Sequence, residues 1–147
     1  MKYLPSFISN HSLIIILLLS LVLRLINLNQ SLWWDEAINI VYAKSSSFWW
    51  FVTQYPVGDF HPPGYFAILW IWGHFFGFSE FIIRLPSVIF GVATVWMTYL
   101  LGKDIFNKKI GLLAALFLAI APLHIYYSQE ARMYSLAAFA ATLSSYF

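Results

Sequence analysis

The side chains best suited to chemistry lie in Ser31-Leu32-Trp33-Trp34-Asp35-Glu36-Ala37, where two adjacent carboxylates follow a tryptophan pair near the end of an apolar segment. Tryptophan rings settle at the depth of lipid headgroups. Asp35 and Glu36 therefore stand where a membrane enzyme would meet the polar head of a lipid-borne substrate, and a carboxylate there can take the proton of an attacking hydroxyl. The simpler reading is that Asp35 caps a short helix, Glu36 to Lys44, by accepting free backbone N–H groups and complementing the helix dipole. Three other groups bear on the choice: His61, held before Pro62 and Pro63, and Glu130 and Arg132 in Ser128-Gln129-Glu130-Ala131-Arg132. An arginine can hold a departing phosphate by paired hydrogen bonds, and His61 can orient substrate or help bind a metal. Each has a plainer role open to it: solvated loop charges for Glu130 and Arg132, a helix cap for His61. No spacing of residues marks a metal site, so a divalent ion stays open. There is no glycine-rich phosphate loop, so no nucleotide cofactor is expected.

The elements that must position these groups belong to a membrane protein. The chain of 147 residues is 61% hydrophobic and 20% aromatic, with 10% charged residues, against roughly 25% in soluble domains. Its net charge of +2 is small and dispersed, which excludes a nucleic-acid partner. With no cysteine, disulfides, thiol catalysis and thiolate metal sites are excluded as well.

Taken in order, Ser12 to Leu28 is a first transmembrane helix, with Arg24 near its far end reaching for the interface. A signal peptide is the competing reading, but no small-x-small cleavage site precedes Asn27. Residues 29–81 form an external loop with interfacial helices. Ser45-Ser46-Ser47 breaks the first of these and caps the next, and Phe48-Trp49-Trp50-Phe51 is a second aromatic anchor. The two prolines after His61 make either a rigid extended segment or the first turn of a helix. Tyr65 to Phe78 is about 21 Å long as a helix, short of the roughly 30 Å hydrocarbon core. Further transmembrane helices are expected over 82–101, 110–127 and 133–147, the first two joined by the basic turn Lys103, Lys108 and Lys109.

Positive charge favours the cytoplasmic side, which places that turn and Lys2 inside. If Tyr65 to Phe78 is re-entrant, the chain crosses about four times and Asp35, Glu36, Asp59, His61, Glu130 and Arg132 gather at the outer face. If it spans, a bilayer separates Asp35 from Arg132.

Four motifs in order carry a resemblance over nearly the whole chain. They are Trp34-Asp35-Glu36-Ala37, His61-Pro62-Pro63-Gly64-Tyr65-Phe66, Ser79-Glu80-Phe81 with Arg84-Leu85-Pro86-Ser87, and Tyr127-Ser128-Gln129-Glu130-Ala131-Arg132-Met133-Tyr134. Together they resemble the amino-terminal part of GT-C membrane glycosyltransferases, closest to the protein O-mannosyltransferase and aminoarabinose-transferase-like superfamily. The resemblance implies an all-α, polytopic integral membrane fold in the plasma membrane, of prokaryotic type. It implies an extracytoplasmic site that transfers a sugar from a polyprenyl-phosphate-linked donor with inversion. Asp35, and with it Glu36, falls on the catalytic acidic motif, Arg132 on the carrier phosphate, and His61 and Glu130 among the substrate-binding positions. Such enzymes have about a dozen crossings, so the chain is read as the front of a larger enzyme whose remaining helices come from a longer chain or a partner subunit. The alternatives are a non-catalytic membrane subunit and an inactive truncated paralogue. A transporter ranks last, because apart from Arg24 the charges sit at helix ends rather than at mid-membrane.

Overall fold

The computed structural model describes residues 7–147 apart from Phe60, and every regular element among them is helical. Lys2, used above to orient the chain, lies outside the described residues. In chain order the elements are α1 (Phe7–Leu25), α2 (Trp34–Ser45), α3 (Phe48–Thr53), α4 (Tyr55–Asp59), α5 (Pro63–Phe76), α6 (Glu80–Ile105), α7 (Lys108–Ile120), α8 (Pro122–Ser128) and α9 (Tyr134–Tyr146).

The centre of the arrangement is α6, which packs against α1, α5, α7, α8 and α9. Its return into α7 is tight because the two backbones almost touch: a Cβ on Gly102 would lie 2.9 Å from the Gly111 Cα. Asn107 starts α7 by accepting the Lys109 and Ile110 N–H groups, a cap that satisfies two otherwise unbonded donors. Ile16, Val95, Tyr99, Ala115 and Ala119 form one core where α1, α6 and α7 meet. A second core, including Ile40, Phe51, Tyr65, Leu69, Ile83 and Ala131, holds α2, α3 and α5 against the other end of α6.

Two features of sequence set the local geometry at that second core. Pro62 is the N-cap of α5 and Pro63 its first residue, so the prolines stand where a missing N–H costs least. Pro86, inside α6, cannot donate to the Ile82 carbonyl one turn back. Trp72 of α5 takes that place, its Nε1–H reaching Ile82 O at 2.8 Å, so the proline that interrupts one helix docks its neighbour. Ser47 accepts the Trp50 N–H at 3.4 Å and caps α3, as the serine run suggested. The short helix after the acidic pair begins earlier than expected, at Trp34, with Trp33 rather than Asp35 at its N-cap.

Only α6, among the described residues, is long and apolar enough to cross a bilayer unaided. The expected helix over 110–127 is bent by 63° between α7 and α8, because Pro122 has no N–H for the Leu118 carbonyl, which accepts the Ala121 N–H at 3.3 Å instead. At 13 residues α9 is about 20 Å long, and α1, 19 residues from Phe7 to Leu25, about 28 Å. The expectation that Arg24 extends to the interface is overturned, since its exposure is 0%. The guanidinium turns inward to the α7–α8 bend, donating to Ser20 O and Oγ, Ala119 O, Ser128 Oγ and His124 Nδ1. Room for it comes from Gly91, where a Cβ would collide with Ser128 and come within 3.0 Å of Arg24 Nε.

Candidate functional site

Glu36 and Arg84 make the framework of the site. Arg84 donates from Nε to Oε1 at 3.0 Å and from Nη2 to Oε2 at 2.6 Å, a two-point pairing that fixes both side chains in one geometry. Arg84 is 3% exposed and Glu36 1%. The remaining donors of Arg84 reach the carbonyls of Leu28, Gln30 and Ser31, so the chain leaving α1 is gathered onto α6. The carboxylate of Glu36 also accepts the Trp33 N–H at 3.1 Å, reaching back over the first turn of α2 as a capping glutamate does. Its fourth hydrogen bond comes from the Ala131 N–H, at 2.6 Å. One buried carboxylate thus ties together α2, α6 and the turn between α8 and α9, with its hydrogen-bonding capacity filled.

That turn carries Arg132 next to Ala131, and its backbone is held from a second side. Ser87 of α6 donates to Arg132 O at 3.2 Å, and the buried Tyr65 hydroxyl lies 3.1 Å from Ser87 Oγ. Gln129 adds a third tie, its side-chain amide donating to the carbonyls of Leu23, Arg24 and Ile26 at the end of α1. The turn is rigid because its neighbours on three elements bond its backbone and side chains.

Asp35, one position from Glu36, points the other way. Its side chain is 66% exposed and pairs with Arg132 at 3.4 Å between Oδ2 and Nη1. Arg132 is 8% exposed, and its guanidinium carbon lies 5.8 Å from the centre of the Tyr134 ring, so the cation is held between an aromatic face and Asp35. These two residues, with Glu36 and Glu130, line a cleft of about 270 Å³ walled by Trp33, Tyr126, Tyr127 and Tyr134. Partial burial is the largest influence on Glu130 and raises its carboxyl above the ordinary range, against a Tyr126 hydrogen bond and the Arg132 and Arg84 charges that favour ionisation.

Four of the five expected site residues therefore meet: Asp35, Glu36, Glu130 and Arg132. His61 is half-buried in the connection before α5 and does not line this cleft. From its motif it is Tyr65 that reaches the turn, through Ser87. Among the described residues no group of three or more histidine or carboxylate side chains is placed to hold a metal ion. The residue that sequence reading passed over is Arg84. Its sequence signal was its place in the motif Arg84-Leu85-Pro86-Ser87, a cation two residues before a helix proline; the pairing with Glu36, 48 residues away, is tertiary.

Among the described residues the architecture is all-helical, with acidic and cationic motifs brought together at one end of a long apolar helix. Residues 60–147 match the dolichyl-phosphate-mannose-protein mannosyltransferase family, more than half of the chain, and the chain belongs to that family. The matched stretch contains His61, Arg84, Glu130 and Arg132, while Asp35 and Glu36 precede it. No curated protein and no solved structure matches the chain.

Proposed function

We propose that this chain carries the acceptor-activating part of a membrane glycosyltransferase, which moves a sugar from a polyprenyl-phosphate carrier to a hydroxyl acceptor outside the cytoplasm. The observation that carries the reading is the Asp35–Arg132 pair: an accessible carboxylate and a largely buried arginine, 3.4 Å apart in the lining of one cleft. In a single displacement the acceptor oxygen attacks the anomeric carbon and passes its proton to Asp35. The bond from that carbon to the carrier phosphate breaks, and the negative charge left on the phosphate is held by Arg132. One displacement inverts the anomeric centre. Glu36 serves this chemistry as a positioning residue, since its carboxylate is already filled by four hydrogen bonds. Glu130 and the tyrosines offer hydrogen bonds to sugar or acceptor hydroxyls.

The membrane setting rests on the same geometry. Arg84 lies at the cleft end of α6 and Lys103 at the other, about 28 Å apart at 1.5 Å per residue, close to the thickness of a hydrocarbon core. Lysines favour the cytoplasmic side, which supports an outer position for the cleft at the opposite end. Trp34, Trp49, Phe75 and Phe76 are all largely exposed and suit the headgroup layer.

The test is Asp35→Asn in membranes of cells making the native protein, assayed for transfer of a labelled sugar from a polyprenyl-phosphate donor. Loss of about 10²–10⁴-fold in rate, with the protein still folded and inserted, is the expected result. Undiminished transfer would remove Asp35 from catalysis and favour a non-catalytic subunit.

A further inference from the structure

A second cavity lies along α2 from the cleft, and its chemistry is different. Tyr42, Trp50, Gln54, Tyr55 and Gly58 enclose about 370 Å³ open to the outside. Three of the five are aromatic, with ring centres 5.8 Å apart for Tyr42 and Trp50, 4.9 Å for Tyr42 and Tyr55, and 6.3 Å for Trp50 and Tyr55. Tilts of 32°, 42° and 44° between these rings make a shallow bowl rather than a flat stack. Tyr55 is its fixed wall, stacked on Phe51, set edge-on to Phe66, and donating its hydroxyl to Asn39 Oδ1 at 2.6 Å. Tyr42 and Trp50 are 41% and 42% exposed, so part of each ring surface is available.

None of these five lining residues, among the described ones, is charged. A phosphate, a carboxylate or an ammonium group would find no counter-charge among these five side chains and would lose hydration without return from them. A neutral ligand with apolar C–H faces and a girdle of hydroxyls suits the site: the rings take the C–H face, and the Gln54 amide supplies a donor and an acceptor. Those are the properties of an uncharged sugar ring. Interfacial anchoring alone would explain exposed aromatic side chains, but it does not call for a preformed hollow with an amide in its wall.

Placement connects the bowl to the cleft. Tyr42 follows Asp35 by two turns of the same helix, so both lie on one side of α2, about 10 Å apart along its axis. We propose that Tyr42, Trp50 and Gln54 form a saccharide-binding subsite that holds a neutral sugar unit of the acceptor while another hydroxyl of that acceptor reaches Asp35. The site's link to catalysis rests on the function proposed above; its binding of sugar does not.

The test is saturation-transfer NMR on the whole chain in detergent micelles, using uncharged hexose disaccharides as probes and an acyclic hexitol as control. Selective transfer to the ring C–H protons of the disaccharides is expected. Affinity should fall about five- to tenfold in Trp50→Ala and be kept in Trp50→Phe. Gly58→Val gives an independent variant, because a Cβ at Gly58 meets nothing within 4 Å: the fold should persist while the added side chain narrows the cavity and weakens binding. Asp35→Asn should bind disaccharide as wild type does even if it abolishes transfer, which separates this inference from the catalytic one. No disaccharide signal above the hexitol control, or binding unchanged in both Trp50→Ala and Gly58→Val, would overturn it. So would transfer to Trp50 from lipid chains in place of sugar.

Discussion

Asp35 and Glu36 are adjacent in sequence and opposite in circumstance, one 66% exposed at its side chain and paired with Arg132, the other 1% exposed and bonded four ways. Their substitutions should separate accordingly. Glu36→Gln leaves Arg84 buried without its counter-charge, and breaking a buried pair costs about 3–5 kcal/mol. A lowered unfolding temperature in detergent is the expected readout, whereas Asp35→Asn should leave that temperature nearly unchanged. Glu130 makes a pH-dependent prediction. Because burial raises its carboxyl above the ordinary 4.5, the folded state holds its proton to higher pH than the unfolded chain does. The stability this confers is complete below the unfolded value and is lost as pH rises through the folded one. Glu130→Gln removes the titration, so a pH series of unfolding temperatures should show the variant gaining on wild type over that interval and no further above it.

Between elements, the informative contact is the one made by a helix defect. Trp72 of α5 satisfies the Ile82 carbonyl that Pro86 leaves open. Trp72→Phe should therefore cost about 1–3 kcal/mol through the unmet carbonyl, in addition to any lost packing. Pro86→Ala restores a backbone donor one turn along, so in that background Trp72→Phe should cost measurably less. Unfolding of the two single variants and the double variant yields the coupling directly, and additive costs would mean that the tryptophan acts through packing alone. The serine cap of α3 and the basic turn between α6 and α7 were legible because each depends on neighbours a few residues away, whereas the cap of α2 fell on Trp33 instead of the expected Asp35. The bend before α8 was less so: Pro122 was visible, but whether it ends a helix or only redirects it depends on what fills the notch, and here that is Arg24, from a distant helix.

For the whole molecule the testable quantity is sidedness. The absence of cysteine makes single-cysteine probes unambiguous. In the native membrane, Glu130→Cys should react with an impermeant thiol reagent from outside, and Lys108→Cys only once the cytoplasmic face is opened. Labelling of both from one side would refute the placement of cleft and basic turn at opposite faces of the bilayer. It would also move the proposed sugar transfer to another compartment.

By itself the sequence determined the helical class, the apolar character, the ends of several helices and the family motifs, including the acids and the arginine that line the cleft. Those follow from composition, short-range periodicity and residues whose chemistry is local. Tertiary structure alone decided how these residues divide the work. Exposure and hydrogen-bond partners come from contacts far apart in the chain, such as Arg84 on Glu36 and Glu36 on the Ala131 N–H, and no local pattern states them. For the same reason the inward turn of Arg24, the reach of Tyr65 through Ser87 to the Arg132 carbonyl and the aromatic bowl beside α2 emerged only when the helices were packed. Each depends on which faces meet, and burial rather than residue type sets what a side chain is free to do.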